Sequence, residues 1–301
     1  MNSSFPLLHL VFLLLVGQYP QATEPPPTPP SIGIVVGNAG SYTVKRGDSL
    51  TSVGARLGIP GNTLARVNGL RANAWLQVGQ ELLSDNRHVV PALREDGILI
   101  NVPQRLLFYF EMRTLVAWYP LAVGAADWQT PLGTLHVATK ETDPVWDVPV
   151  SIQEEMRRKG QRVKKRVAPG PDNPLGKFWM GLTPGSCGIH ATNAPASIYR
   201  FRTHGCIRLH PDDAADLFSR VTIGTRVDIV YEPVLLARTE DGRIFLEVHP
   251  DVYERAPDVR ESVRQLADRN GLTSDLDPDL VEREIRESAG VAREIPSREP
   301  R

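Results

Sequence analysis

The sequence predicts a mainly β domain of sandwich or barrel-like type, preceded by a small βααβ module and followed by an α+β extension. Three observations carry this. Between Gly97 and Tyr231, the stretches ILINVPQRLLFYF, TLVAWYPLAVG, LGTLHVAT and RVDIVY alternate apolar and polar positions, as closely spaced strands do. Between Ser41 and Ser84 the residue pattern runs strand, helix, helix, strand. Beyond Tyr231, one strand-like segment, RIFLEVH, gives way to charged helical sequence in DVRESVRQLADRNGL and DPDLVEREIRESAG, and the polar end REIPSREPR is expected to fray.

The 301 residues exceed the size of one ordinary domain, roughly 100–200 residues, and 41% hydrophobic content suffices for real cores. Lys plus Arg number 34 against 35 Asp plus Glu, a net charge of −1, so charge indicates no nucleic-acid partner. Leu7 to Val16 is an apolar run broken only by His9. It is shorter than the roughly 20 residues that span a bilayer and reads as the core of a secretory signal within residues 1–22. The leading segment lacks Lys and Arg and no clean Ala-x-Ala site precedes Thr23, so an uncleaved membrane anchor is the alternative. Residues 23–40 contain TEPPPTPP and read as an extended proline-rich spacer.

Within residues 41–85, Tyr42 and Val44 begin a strand, Asp48 is placed to cap a helix carrying Leu50, Val53 and Leu57, and Asn62 to cap a second carrying Leu64 and Val67. Glu81 to Leu83 then pairs back with the first strand. With YTVKRGDSL at its start, ARVNGL in the second helix and VGQEL at its end, the segment resembles a LysM module. The resemblance implies binding of N-acetylglucosamine-containing glycan, hence attachment to the cell wall.

The chemistry concentrates in GSCGIHATNAPASIYRFRTHGCIRLHPDDAADLF, Gly185 to Phe218, which holds both cysteines of the chain, Cys187 and Cys206. A thiol at its free pKa of about 8.5 is mostly unreactive near neutrality and needs an adjacent imidazole or cation to form thiolate. His190 and His204 are the available imidazoles. If RTHGCIRL runs extended, His204, Cys206 and Arg208 share one face, and backbone N–H groups around Gly205 and Cys206 are placed to bind an oxyanion. The basic run Arg157, Arg158, Lys159, Arg162, Lys164, Lys165 and Arg166 reads as a solvated helix face and loop, with contact to carboxylates of a peptide substrate as the alternative. Asp212 and Asp213 read as the acidic first turn of a helix after Pro211.

IHATNAPAS followed by THGCIRL, preceded by TPLG at Thr130 and PDNPLG at Pro171, resembles the L,D-transpeptidase (YkuD) catalytic domain across residues 97–231, leaving 232–301 as the extension. The resemblance implies Cys206 as nucleophile and His190 as general base. It implies His204 and Gly205, with Thr203, as the groups that orient this dyad and bind the oxyanion, and Thr192, Asn193 and Arg208 beside the substrate. It further implies a periplasmic enzyme acting on peptidoglycan peptide stems, whose acceptor is another stem or an outer-membrane lipoprotein. No cofactor or metal is called for. Ala191 departs from the family's usual Gly after the first His, which would disturb His190 if that backbone required positive φ. Cys187 is either a small buried hydrophobe or a disulfide partner of Cys206. Two alternatives remain open: a C-x2-H…H-x-C zinc set from Cys187, His190, His204 and Cys206, and a non-catalytic wall-binding scaffold. With water as acceptor, the same site would act as a carboxypeptidase.

Overall fold

The computed structural model describes residues 33–256 and 258–296. The apolar run Leu7–Val16, the TEPPPTPP spacer and the last five residues lie outside them. The mainly β expectation holds. The central sheet has nine strands in the order Phe201–Thr203, Thr114–Gly124, Ile207–Leu209, Gly188–His190, Phe178–Thr183, Gly133–Thr142, Arg226–Val230, Gly97–Asn101 and Leu106–Glu111. Leu106–Glu111 also pairs with Thr114–Gly124, closing eight strands into a barrel. The sheet is mixed: Gly188–His190 runs parallel to Ile207–Leu209, and Arg226–Val230 parallel to Gly97–Asn101.

The strands Gly97–Asn101 and Leu106–Glu111 are almost continuously apolar because both faces are covered. Ile98, Ile100, Leu107 and Tyr109 point into the barrel core with Leu121, Val137, Ile189 and Ile207. Leu99, Leu106, Phe108 and Phe110 point outward against Ala55, Val90, Ile198 and Tyr199.

In the N-terminal module, Ala39–Thr43 pairs antiparallel with Glu81–Asp85 around the helices Leu50–Leu57 and Gly61–Val67. The first helix is capped by Ser49 in a reciprocal box with Ser52, not by Asp48. The Asp48 carboxylate instead accepts from the Tyr42 hydroxyl and the Lys45 N–H, each at 2.8 Å, closing the turn ahead of the helix. Pro60 precedes the second helix without a side-chain cap, and the Asn62 side chain accepts from the adjacent Thr63 N–H. Residues expected to belong to the spacer form a short strand, Val35–Val36, paired with His88–Val89.

The extension folds as a three-stranded sheet of Val234–Arg238, Ile244–Val248 and Arg293–Ile295, with helices Val259–Arg269 and Pro278–Glu287 packed over it. Arg293–Ile295 was expected to fray. It is a strand because Ile295 joins the extension's core while its backbone pairs with Ile244–Leu246. Just before it, Ala289 and Val291 complete the core of the N-terminal module beside Val53, Ile59 and Leu64.

Candidate active site

Cys206 lies in the turn between the strands Phe201–Thr203 and Ile207–Leu209, which flank opposite sides of Thr114–Gly124. The chain must therefore cross from one side of that strand to the other within three residues. Gly205, at φ 102°, makes the crossing in a conformation side chains rarely adopt. RTHGCIRL is thus two strands and a turn, not one extended run. Thr203, His204, Cys206 and Arg208 still line a single groove of about 770 Å³, together with His190.

Side chains from three segments brace the turn. Thr203 Oγ1 donates to the Cys206 carbonyl at 2.5 Å and accepts from the Gly205 N–H at 3.2 Å. The Gly205 carbonyl accepts from Thr130 Oγ1 at 2.9 Å and from the Cys187 thiol at 3.4 Å. Thr130, from the TPLG motif, is thereby a support of the turn. The Gly205 N–H is engaged within the turn, whereas the Cys206 N–H has no acceptor among the described residues.

His190 pairs in register with Arg208 across the parallel strands, so both side chains stand on the groove face while Ile189 and Ile207 enter the core. The ring is buried. Its Nδ1 donates to the Ala191 carbonyl at 2.5 Å, which leaves Nε2 as the unprotonated nitrogen of a neutral imidazole. Burial, and then the positive charge of Arg208, push its pKa down to about 4. No hydrogen bond joins His190 to Cys206 among the described residues. Both line the groove.

The Cys206 thiol is held below its ordinary pKa. Hydrogen bonding from Cys187 outweighs burial, with help from the Gly188 backbone and the Arg208 charge. Hydrogen bonding to Cys206 and burial push Cys187 up correspondingly. Both cysteines are free thiols. Among the described residues Arg208 is a cation without a carboxylate partner: Nη1 donates to Ser197 Oγ at 2.9 Å, and its buried Nε has no acceptor.

Ala191 does not have positive φ, so the strain a missing glycine would bring does not arise. Its methyl is received by Gly176, where an added Cβ would sit 2.7 Å from the Ala191 Cβ. Thr192 and Asn193, expected beside a substrate, are not among the residues that line the groove. Thr192 Oγ1 accepts from the Ala194 N–H at 3.0 Å, and Asn193 donates to the Pro171 carbonyl at 3.1 Å. They shape the loop behind His190.

The insertion between Gly133–Thr142 and Phe178–Thr183 forms the facing wall. A strand pair, Trp146–Asp147 with Arg166–Val167, supports the helix Val150–Arg158, which brings Ile152, Glu155 and Met156 to the groove. Asn173, buried in the PDNPLG motif, anchors this wall by donating to the Pro144 carbonyl at 2.8 Å and accepting from the Leu175 N–H at 2.9 Å. The basic run is exposed as expected. Glu155 reaches across to His204 Nε2 at 2.5 Å, and Trp128 packs edge-on against the same ring, centroids 4.9 Å apart. Hydrogen bonds from Lys159 and His204 hold the Glu155 carboxyl well below the usual carboxylate range. Neither Glu155 nor Trp128 stood out in the sequence, because each meets His204 only through the fold. His204 turns toward the wall and Cys187 enters the core, so the zinc set does not converge. No three His, Cys, Asp or Glu side chains among the described residues form a metal site.

The L,D-transpeptidase catalytic domain family (YkuD) matches residues 95–229, and the LysM domain family matches residues 42–84. A protein named "Probable L,D-transpeptidase ErfK/SrfK" from Salmonella typhimurium is 32% identical over 249 residues, 79% of this chain and 78% of that protein. Its namesake from Escherichia coli is 30% identical with the same coverage. "Probable L,D-transpeptidase YbiS" of Escherichia coli is 35% identical over 165 residues, 54% of this chain and 53% of that protein. Likeness at this level, extending beyond the catalytic unit to most of both chains, decides the classification: this chain belongs to the L,D-transpeptidase family.

Proposed function

We propose that the chain is an exported, periplasmic enzyme that transfers peptidoglycan tetrapeptide stems through a Cys206 thioester. The observation that carries this reading is the Cys206 thiol, depressed in pKa, beside the unpaired Arg208 cation and the neutral His190 in one groove. His190 Nε2 takes the thiol proton as the substrate draws the dyad together, since catalytic hydrogen bonds often tighten only in the substrate complex. The sulfur attacks the carbonyl of the L-centre of diaminopimelate. The Cys206 N–H donates to the developing oxyanion, the C–N bond to terminal D-alanine breaks, and His190 returns its proton to that leaving amine. An acceptor amine then attacks the thioester, His190 takes its proton, and the thiol is regenerated. Arg208 is suited to hold a stem carboxylate, because an anion there supplies the partner this cation lacks.

The acceptor is the amine of another stem, giving a 3-3 crosslink, or a lysine of an outer-membrane lipoprotein; water gives carboxypeptidase activity instead. The glycan strand binds the LysM module, whose Trp75 is 98% exposed and available for stacking on sugar rings. Mass spectrometry of muropeptides incubated with the protein, with and without a lysine-bearing acceptor peptide, tests the reading. Release of D-alanine with formation of a 3-3 dimer or a lysine adduct is expected. A product shortened by D-alanine alone identifies water as the acceptor, and intact tetrapeptides contradict the proposal.

A further inference from the structure

We infer that Tyr253, in the extension beyond the catalytic barrel, is a positioning residue for the Cys206 turn. The inference rests on Cys206 being the nucleophile. Tyr253 is buried, and its hydroxyl donates to the Gly124 carbonyl at 2.7 Å while accepting from the Thr130 N–H at 3.1 Å. The Thr130 side chain carries the constraint onward. Its hydroxyl accepts from the Gly124 N–H and donates to the Gly205 carbonyl, both at 2.9 Å. Two hydrogen-bonded residues, Gly124 and Thr130, therefore link Tyr253 to the Gly205 carbonyl of the peptide that enters Cys206.

A second point of support comes from the same segment. Arg255 donates through Nε and Nη2 to Gln129 Oε1 at 2.9 and 2.6 Å. Gln129 and Trp128 belong to the loop that folds back on Gly124, where a Cβ would meet the Trp128 carbonyl at 2.0 Å. Their carbonyls also face Gly205, and Trp128 packs on His204. The loop is thus held between the extension on one side and the Cys206 turn on the other.

Tyr253 is itself fixed. Its ring stacks on Tyr231 with centroids 5.3 Å apart, and its N–H donates to the Tyr231 hydroxyl at 2.8 Å. That hydroxyl in turn donates to Asp251 at 2.6 Å, whose carboxylate also accepts the Arg255 and Ala256 N–H groups. The catalytic family match ends at residue 229, so this backing is supplied from outside the matched unit. Without the hydroxyl, the buried Thr130 N–H and Gly124 carbonyl lose their partner, and the local rearrangement that re-satisfies them displaces the turn. A displacement near 1 Å at a reacting group can lower rate by about a hundredfold.

The test uses the full chain carrying Tyr253→Phe. The expected result is a fall in kcat of about tenfold or more, with the donor-stem KM held within about twofold, because the loss falls on the reacting geometry and not on binding. Alkylation of Cys206 by iodoacetamide, read by peptide mapping against pH, should also change its profile. Thr130→Val should move both readings in the same direction. An unchanged kcat and alkylation profile in folded Tyr253→Phe would overturn the inference even if thermal stability falls. Should Tyr253→Phe not fold, Arg255→Gln decides at the exposed end of the clamp: a fall in kcat at constant KM supports it, and wild-type kcat overturns it. Cys206→Ala separates the two claims. Turnover by that variant removes the nucleophile assignment, whereas an inactive Cys206→Ala beside a normal Tyr253→Phe removes only the positioning role.

Discussion

At the scale of single residues, the site is governed by one uncompensated charge. Arg208 lowers the pKa of both Cys206 and His190, favouring thiolate on one and the unprotonated base on the other. Arg208→Gln should therefore raise both, carrying the acid limb of the pH–rate profile to higher pH; a limb that does not move contradicts this role. The sign for stability follows from burial. His190 binds its proton near pH 4 when folded and near 6.5 when unfolded, so its contribution to stability declines as pH falls from about 6.5 through about 4. Cys206, His190 and Arg208 were legible because their spacing within a short motif is itself the signal. Ala191 was misleading as a warning, since its tolerance depends on Gly176, fifteen residues earlier and visible only in three dimensions. Thr192 and Asn193 share the motif with His190 but serve the loop behind it, a distinction that spacing does not carry.

At the scale of elements, the wall opposite Cys206 depends on a few anchors. Asn173 is buried and bonded to three backbone groups of the insertion and its return, one of them the Leu175 N–H, and the Leu175 carbonyl borders the His190 ring. Asn173→Ala should cost about 2 kcal/mol in chemical unfolding, because buried backbone groups lose their partner, and should depress turnover as well. Full stability in that variant would contradict the anchoring role. The barrel strands Gly97–Asn101, Leu106–Glu111, Thr114–Gly124, Gly133–Thr142 and Arg226–Val230 followed from alternation and apolar runs, whereas Phe178–Thr183, Gly188–His190 and the helix caps of the N-terminal module did not. Asp48 and Ser49 are both good capping residues, and the Tyr42 hydroxyl and Lys45 N–H that engage Asp48 decide between them.

At the scale of the whole molecule, the LysM module is built into the protein. His88 lies between Glu247 of the extension, at 2.7 Å, and the Gly58 carbonyl at the end of the module's first helix, at 2.9 Å. His249 and Gln104 complete this buried knot around the Glu247 carboxylate. Burial alone would raise the Glu247 carboxyl, but the charge and hydrogen bonds of His88 and His249 outweigh it and hold it far below the usual range. Its stabilising effect is present above the unfolded pKa of about 4.5 and is lost as pH falls below it. Breaking such a buried pair from one side typically costs about 3–5 kcal/mol, so Glu247→Gln should lower stability by that order and expose the segment around His88 to protease. Protease resistance equal to wild type would contradict a coupled module. None of this was legible in advance: the partners are up to 159 residues apart, and the extension showed only charge and helical periodicity.

The central claim is that Cys206 forms the acyl-enzyme, and intact-protein mass spectrometry with peptide mapping after mixing with a tetrapeptide donor measures it most directly. The prediction is a mass increase equal to the stem lacking its terminal D-alanine, located on Cys206 and absent from Cys206→Ala. Turnover of the same donor by Cys206→Ala, or an acyl group mapped to another residue, would contradict the account.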